Sequence, residues 1–457
     1  MKHNQTSVAE AGTLDPTFGE QAGKSTFTIP GFGYGTVLGI TEAPDKKMYI
    51  TGYAVNDDTQ AFWIASLSAD GRLLKDFGRD GYYVGNFEQD EKVPYGYQIN
   101  IIQDDPQNTK LLLTGLSDGN IALARFTTTG ELDTTFGVQG KIVHRIEPVL
   151  PARNTSENPA IRKTTTSPQK NLTDKNSTTA IVTLNPTTTH VLPDKKIVVA
   201  AHYRNNEMSS SGLVCRFLEN GMLDTSLNNL GYFVIDHPQY NIAHVYINNM
   251  MIAKDGTYIF CGAVRSGEDP ASALFASYHE NGSVNEYFGS SGFTTIPDSR
   301  DVHLSLVLDR LAPTPEGGVI GVGSSSKNIG FPPSDALIIA INKNGSINGD
   351  FNEGRPLHST VNGVGAVWRT GTVQPDDGKI IAVGRAVGLE DPYIYKIAAT
   401  RLLSNGKPDP DFNKGEILRL SLSSEADTAL PMVQQESRRI VLGGQSDGEA
   451  FVAGLRG

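Results

Sequence analysis

Seven near-copies of one short phrase, an apolar rhythm of period two, and turn dipeptides at matching places predict an all-β chain. They predict a seven-bladed β-propeller with four antiparallel strands per blade. The phrase reads Gly12-Thr-Leu-Asp-Pro-Thr-Phe18, Gly71-Arg-Leu-Leu-Lys-Asp-Phe77, Gly130-Glu-Leu-Asp-Thr-Thr-Phe136, Gly221-Met-Leu-Asp-Thr-Ser-Leu227, Gly282-Ser-Val-Asn-Glu-Tyr-Phe288, Gly345-Ser-Ile-Asn-Gly-Asp-Phe351 and Gly406-Lys-Pro-Asp-Pro-Asp-Phe412. Successive glycines stand 59, 59, 91, 61, 63 and 61 residues apart. A fixed period of this size marks an array of one supersecondary unit.

The second unit shows what one repeat holds. Tyr82-Tyr-Val84 is a first strand, a; Tyr97 to Ile102 is a second, b; Lys110 to Gly115 is a third, c; Asn120 to Phe126 is a fourth, d. Alternating and short continuous apolar runs of this length read as strands. The other units keep the order. Strand c returns at Met48 to Gly52, Ile197 to Ala200, Tyr258 to Gly262, Val319 to Gly323, Ile380 to Gly384 and Ile440 to Gly443. Before it stand Asp194-Lys195, Asp255-Gly256, Glu316-Gly317 and Asp377-Gly378, dipeptides that tolerate positive φ and reverse the chain tightly. Strands b, c and d therefore form a meander.

Seven such sheets arranged radially bury faces that one sheet alone leaves wet. An open β-solenoid fits less well, because its repeats are shorter. The chain starts with the phrase and a strand a near Phe27, and stops after a strand d at Ala450 to Leu455. Blades are therefore expected to run b-c-d plus the next unit's a. The strand near Phe27 should complete the C-terminal blade and remove exposed edges. This gives a flexible segment over residues 1–11, one propeller over 12–457, and a mobile insertion over 148–178 within it.

The phrases resemble those of the delta-60 repeat family. Gly130 to Lys141, Asp194 to Ala200, Asp377 to Gly384 and Ala122 to Phe126 carry the likeness, which extends over nearly all of the chain. Unit 2 departs with Leu74, and unit 4 with Leu227 and Asn228. Units 6 and 7 lose one residue before the final glycine. The resemblance implies a β-propeller and no particular chemistry.

Composition excludes several functions. A net charge of −11 argues against general nucleic-acid binding, which needs a basic surface, and against docking on anionic membranes. No apolar run is long enough to span a bilayer, so membrane insertion is not expected. Residues 1–10 carry no apolar core of a secretory signal, so the reading is cytoplasmic or exported by a non-classical route. Cys215 and Cys261 fall in strands and read as free core thiols. The nine histidines lack metal-ligand spacing, so no metal and no cofactor is expected.

The phrase aspartates invite a catalytic reading that the chain itself refutes. Asp15, Asp133, Asp224 and Asp409 are matched by Asn285 and Asn348. A side chain that tolerates this exchange caps a turn through its oxygen. Asp409-Pro-Asp411-Phe-Asn413-Lys-Gly415 resembles a calcium loop, but its glycine comes one residue late and the closing glutamate is missing. Leucine and phenylalanine read as anchors between blades.

Function is expected on one face. Loops b–c and d–a are short and uniform; loops a–b and c–d vary in length and content. Variable loops on a rigid scaffold are where binding lives. The candidate ligand-binding residues there are Tyr34, Tyr95, Arg204, His237, Tyr240, Arg300 and Asp391, with no catalytic residue assigned. The insertion at 148–178 carries +3 in a Thr-, Asn- and Pro-rich composition that cannot bury enough apolar surface to order itself. The reading is a monomeric, non-enzymatic, lectin-like binding propeller that presents these loops to a protein or a glycan. The competing readings are a surface-display module and a carbohydrate-active hydrolase or lyase. The latter would use acids at the channel mouth: Asp57, Asp58, Glu88, Asp90, Asp298, Asp301, Glu390 and Asp391.

Overall fold

The computed structural model describes residues 10–57, 59–103, 108–148, 183–204, 210–238, 243–267, 269–327, 335–387, 394–424 and 426–457. Most of the 148–178 insertion, and nearly all of the 1–11 segment, lie outside the described residues. Each apolar run becomes a strand, and the strands gather into seven separate four-stranded antiparallel sheets. In the first blade the order from the axis outward is Tyr34–Glu42, Met48–Asn56, Thr59–Leu67 and Tyr82–Gly85. These are strands b, c and d and the next unit's a, as the sequence predicts.

The last blade closes the ring. Its strands Asp427–Gln434, Ile440–Ser446 and Glu449–Leu455 are completed by Lys24–Phe27 from the other end of the chain. Lys24 pairs with Ala453 and Phe27 with Ala450. With this strand in place the seventh blade has four strands, like the other six.

The core lies between neighbouring blades. Tyr49, Phe62 and Ile64 of the first blade pack with Ile99, Leu111 and Leu113 of the second. Trp63 and Trp368 are fully buried in two of these seams. Cys215 and Cys261 are free and buried, and burial pushes both thiols up. They are apolar filling here.

The repeated phrase is an inter-blade staple. Its anchors Phe18, Phe77, Phe136, Leu227, Phe288, Phe351 and Phe412 are all buried, each contributing about 1.5–3 kcal/mol. In the six units with a phenylalanine anchor, the glycine of the following phrase lies against its ring. A Cβ on Gly71 would stand 2.3 Å from Phe18, and its φ of +77° already favours glycine. Backbone bonds tie phrase to phrase: Gly19 N to Asp70 O at 2.6 Å, Gly78 N to Thr129 O at 2.7 Å, Gly137 N to Asn220 O at 3.0 Å. The final link, Asn413 N to Ala11 O at 3.0 Å, joins the seventh phrase to the first.

The phrase aspartates are spent inside this staple. Oδ1 of Asp133 accepts from the amide and hydroxyl of Thr135, and Oδ2 takes Nε of Arg125 at 2.9 Å. Arg125 then reaches the Glu219 carbonyl of the next blade and lies over the Phe136 ring. Asp224 with Arg216 and Asp409 with Arg401 repeat the pair at 2.7 and 2.6 Å. Asp409 also takes Lys379 at 2.9 Å, so the calcium-like loop is neutralised by cations of its own chain. Where the phrase carries Asn285 or Asn348, the matching strand residue is Ser277 or Ala340, not arginine. The backbone bond from phrase to strand is kept at 3.0 Å in both. In the last blade that strand position is Gly454, and Arg439, just before the neighbouring strand, holds Asp15 at 2.7 Å.

Candidate functional site

Every inner strand carries one irregularity, at the same level. The b–c register shifts between Val37 and Gly39, Gly96 and Gln98, Pro186 and Thr188, and Ile247 and Asn249. It shifts again between Leu308 and Arg310, Trp368 and Thr370, and Ala429 and Met432. A bulge turns the extra residue out of the ladder. The seven extra residues are Leu38, Tyr97, Thr187, Asn248, Asp309, Arg369 and Leu430 (with Pro431 beside it). All seven line one cavity of about 670 Å³ on the axis, within the usual size of ligand pockets.

The cavity runs from this ring toward the b–c hairpins, with Ile252, Pro313 and Met432 near that end. Its wall is stitched by the residues that follow each bulge. Gln98 exchanges two bonds of 2.9 Å with the Thr189 backbone. Asn249 donates to Thr188 Oγ1 at 2.5 Å and accepts from Leu311 N at 3.0 Å. His190 Nε2 meets the Met250 carbonyl at 2.9 Å, and burial lowers the pKa of this histidine.

Charge is concentrated on one side of the ring. Arg369 Nη1 meets Asp309 Oδ2 at 2.9 Å. Arg310 crosses to the Thr187 carbonyl at 3.1 Å. Arg385, on the strand behind Arg369, lies 4.1 Å over the Tyr395 ring and close enough to feel Arg369 and Asp309. The sequence reading missed this group. Its signal was a charged residue at the same place in two otherwise apolar inner strands, which a buried strand does not tolerate without a partner.

On the loop face an aromatic series descends into the channel. Tyr34 and Tyr53 stand 6.0 Å apart, Tyr53 and Tyr95 4.3 Å, Tyr95 and Tyr97 6.0 Å. Burial, and the hydrogen bond with Tyr34, push the Tyr53 phenol up to about 12. Farther round the ring, His202 stacks on Tyr246 at 5.2 Å, and His244 lies 6.2 Å from the same tyrosine. Burial first, then the Arg204 and His244 charges, hold His202 at about 4, and its buried Nδ1 meets no partner.

The structure thus joins Tyr34 to Tyr95 through Tyr53. Arg204 is exposed at the end of its strand. His237 is buried against Phe293, at 4.7 Å between rings, and burial holds its pKa at about 4. Arg300 is taken by Asp298 at 2.9 Å and Asp335 at 2.8 Å. Among the described residues no ring contact, hydrogen bond or ion pair joins Tyr34 or Tyr95 to Arg204 or Arg300. Tyr240 and Asp391 lie outside the described residues. Among the described residues no group of three or more histidines, cysteines or carboxylates could hold a metal, and no helix is long and apolar enough to cross a membrane.

Fold and site together define a β-propeller with a symmetric frame and an asymmetric channel. A propeller family described as a domain of unknown function, DUF5122, matches residues 110–136 and 192–227. These stretches include strand c, strand d and the phrase of the second and third blades. No curated protein matches the chain. Among solved structures the chain is similar to Sqt1 of Chaetomium thermophilum bound to the N-terminus of ribosomal protein L10. The identity is 12%, the TM-score 0.43, with 93% of this chain and 98% of that chain covered. It is also similar to YCF48 bound to D1 peptide (9%, TM-score 0.44, 95% and 97% covered). A third is the polysaccharide lyase Uly1 (8%, TM-score 0.46, 98% and 94% covered). None of these likenesses bears on what this chain binds.

Proposed function

We propose that this chain is a non-enzymatic binding propeller that holds a protein segment or a glycan on its a–b/c–d loop face. The observation that carries the reading is the contact series Tyr34, Tyr53, Tyr95 and Tyr97, which runs from that face into the channel. Tyrosines offer broad stacking area with a polar tip and few torsions to freeze, so they suit recognition of rings and side chains. Seven stapled blades hold these rings in place at no cost on binding. Two of the acids that a hydrolase or lyase would use are held in ion pairs, Glu88 with Arg145 and Asp298 with Arg300.

The test is a glycan array run beside a pull-down, using the full chain, Tyr53→Ala, Tyr95→Ala and a deletion of residues 148–178. Either tyrosine change should weaken retention by about 5- to 150-fold, since a stacked aromatic anchor is worth about 1–3 kcal/mol. Retention unchanged by both would remove the loop face as the binding surface.

A further inference from the structure

The cavity between the bulge ring and the b–c hairpins meets the loop-face series at Tyr97 and extends beyond it, away from Tyr34, Tyr53 and Tyr95, none of which lines it. Its floor is charged and its wall is not. Asp309 and Arg369 pair at the floor, Arg310 adjoins them, and Arg385 backs Arg369. Three guanidinium groups share one carboxylate, inside a chain whose net charge is −11. Two other titratable groups line the cavity: His190, whose pKa burial lowers and which is engaged with a backbone carbonyl, and Tyr97, whose phenol burial pushes up to about 12. Leu311, Pro313, Pro431, Met251, Ile252 and Met432 line the way to the hairpin mouth.

The guanidinium groups are incompletely used. Nε of Arg369 and Nε of Arg385 are buried and donate to nothing. A buried donor left unmade costs about 1–3 kcal/mol, and a charged one more. Arginine presents its donors as a planar fork that a carboxylate matches with two parallel bonds. Asp309 reaches only one nitrogen of Arg369, so an acceptor of this shape is wanted at the ring. The resident carboxylate also stays beside the site, which favours a ligand with one negative charge over one with two.

We propose that the axial cavity binds a small organic monocarboxylate, its head group on Arg369 and Arg310 at the bulge ring and its apolar body along the wall toward the hairpins. The bulges are what make such a site. They place side chains of two neighbouring blades, one acidic and one basic, at one level on the axis, where regular strands would have continued the ladder.

Octanoate and octanol are the probes, titrated calorimetrically into the full chain. Octanoate should bind one to one, and octanol, equal in length and uncharged, at least tenfold more weakly. Arg369→Gln should weaken octanoate at least tenfold and leave octanol unchanged. Asp309→Asn should tighten octanoate several-fold, because it removes the repelling charge and frees the guanidinium. A merely structural ion pair would lose binding in both variants. Should Arg369→Gln fail to fold, Leu38→Glu places a carboxylate in the lining from the first blade, and should abolish octanoate binding while sparing octanol. Tyr53→Ala leaves octanoate affinity unchanged, which separates this site from the loop face. Absence of octanoate binding, equal affinity for the two probes, or full octanoate affinity in folded Arg369→Gln overturns the proposal.

Discussion

The chain contains two sets of seven equivalent positions, and they were treated in opposite ways. At the rim, the seven phrases share backbone geometry and nearly share side chains: a glycine at positive φ, a capping Asp or Asn in six of them, a buried anchor. At the axis, the seven bulges share backbone geometry and hardly any side-chain chemistry: Leu38, Tyr97, Thr187, Asn248, Asp309, Arg369 and Leu430. A position whose task is to join blades meets the same surroundings seven times, so it keeps one solution. A position that faces the channel meets different neighbours from blade to blade: Asp309 meets Arg369, and Asn248 the Leu308 carbonyl. Its chemistry is free to follow whatever occupies the channel.

The largest effect should come from unbalancing the rim. Arg216→Ser leaves Asp224 buried beside Lys196 at 3.8 Å as its remaining close cation. Removing one partner of a buried pair costs about 3–5 kcal/mol. Pairing the change with Asp224→Asn copies the Ser277 and Asn285 solution of the next blade, and should recover more than half of that loss. Urea denaturation of the two single variants and the double variant measures the coupling. Equal losses in single and double variants would mean that the rim is not held by this pair.

Acid should test the rim next, against a buried histidine that belongs to neither set. Burial would raise Asp224, but the Ser226 hydroxyl, Arg216 and the Ser226 amide outweigh it and hold the carboxyl below its usual value. Asp133 and Asp409 are lowered likewise. A depressed carboxylate stabilises the fold above the unfolded pKa, and that stability is lost as pH falls below about 4. His202 acts earlier. Held at about 4, it stays neutral while the unfolded imidazole charges from about pH 6.5 downward, so stability falls between those values by up to about 3 kcal/mol. Thermal midpoints followed from pH 7 to 4 should therefore decline for the full chain and decline less for His202→Gln. Parallel curves would place the acid sensitivity elsewhere.

Glycine substitutions grade the rim against the loops. Gly71→Ala meets both a φ of +77° and the Phe18 ring, costing about 2–4 kcal/mol from the left-handed backbone and the overpacking together. Gly363 has a φ of +78° and nothing within 4 Å of its would-be Cβ, so Gly363→Ala should cost about 1–2 kcal/mol. Equal losses would show that the rim contact carries no packing energy.

This contrast also explains what the sequence could disclose. Whatever repeats is visible in one chain, so the blade number, the strand order, the closing strand near Phe27 and the anchoring role of Phe136 and its equivalents were legible. The arginine that holds each phrase aspartate was not read, although Arg125, Arg216 and Arg401 stand at one fixed distance before Asp133, Asp224 and Asp409. The exchange of Asp for Asn reads as turn capping; the matching exchange of Arg for Ser277 or Ala340, eight residues earlier, marks the ion pair. The channel group was hidden for the opposite reason. Asp309 and Arg369 are equivalent only once the bulges are aligned, and a bulge adds a residue without leaving a mark in the period-two pattern. Among the loop residues, the burial of His237 against the Phe293 ring leaves no mark in its polar surroundings in the sequence.

The smallest effect is the one that most sharpens the comparison. Leu38→Asn copies into the first blade the residue that Asn248 supplies in the fourth. Leu38 lines the cavity and is half-buried, outside the apolar seams between blades. Its side chain gives up little packing when it becomes polar, so the midpoint of denaturation should shift by no more than about 0.5 kcal/mol, as at an ordinary surface position. A loss above about 2 kcal/mol would mean that the axis is a packed hub. The variety of the seven bulge residues would then reflect how a core was filled, and the channel would lose its claim to be a recognition site.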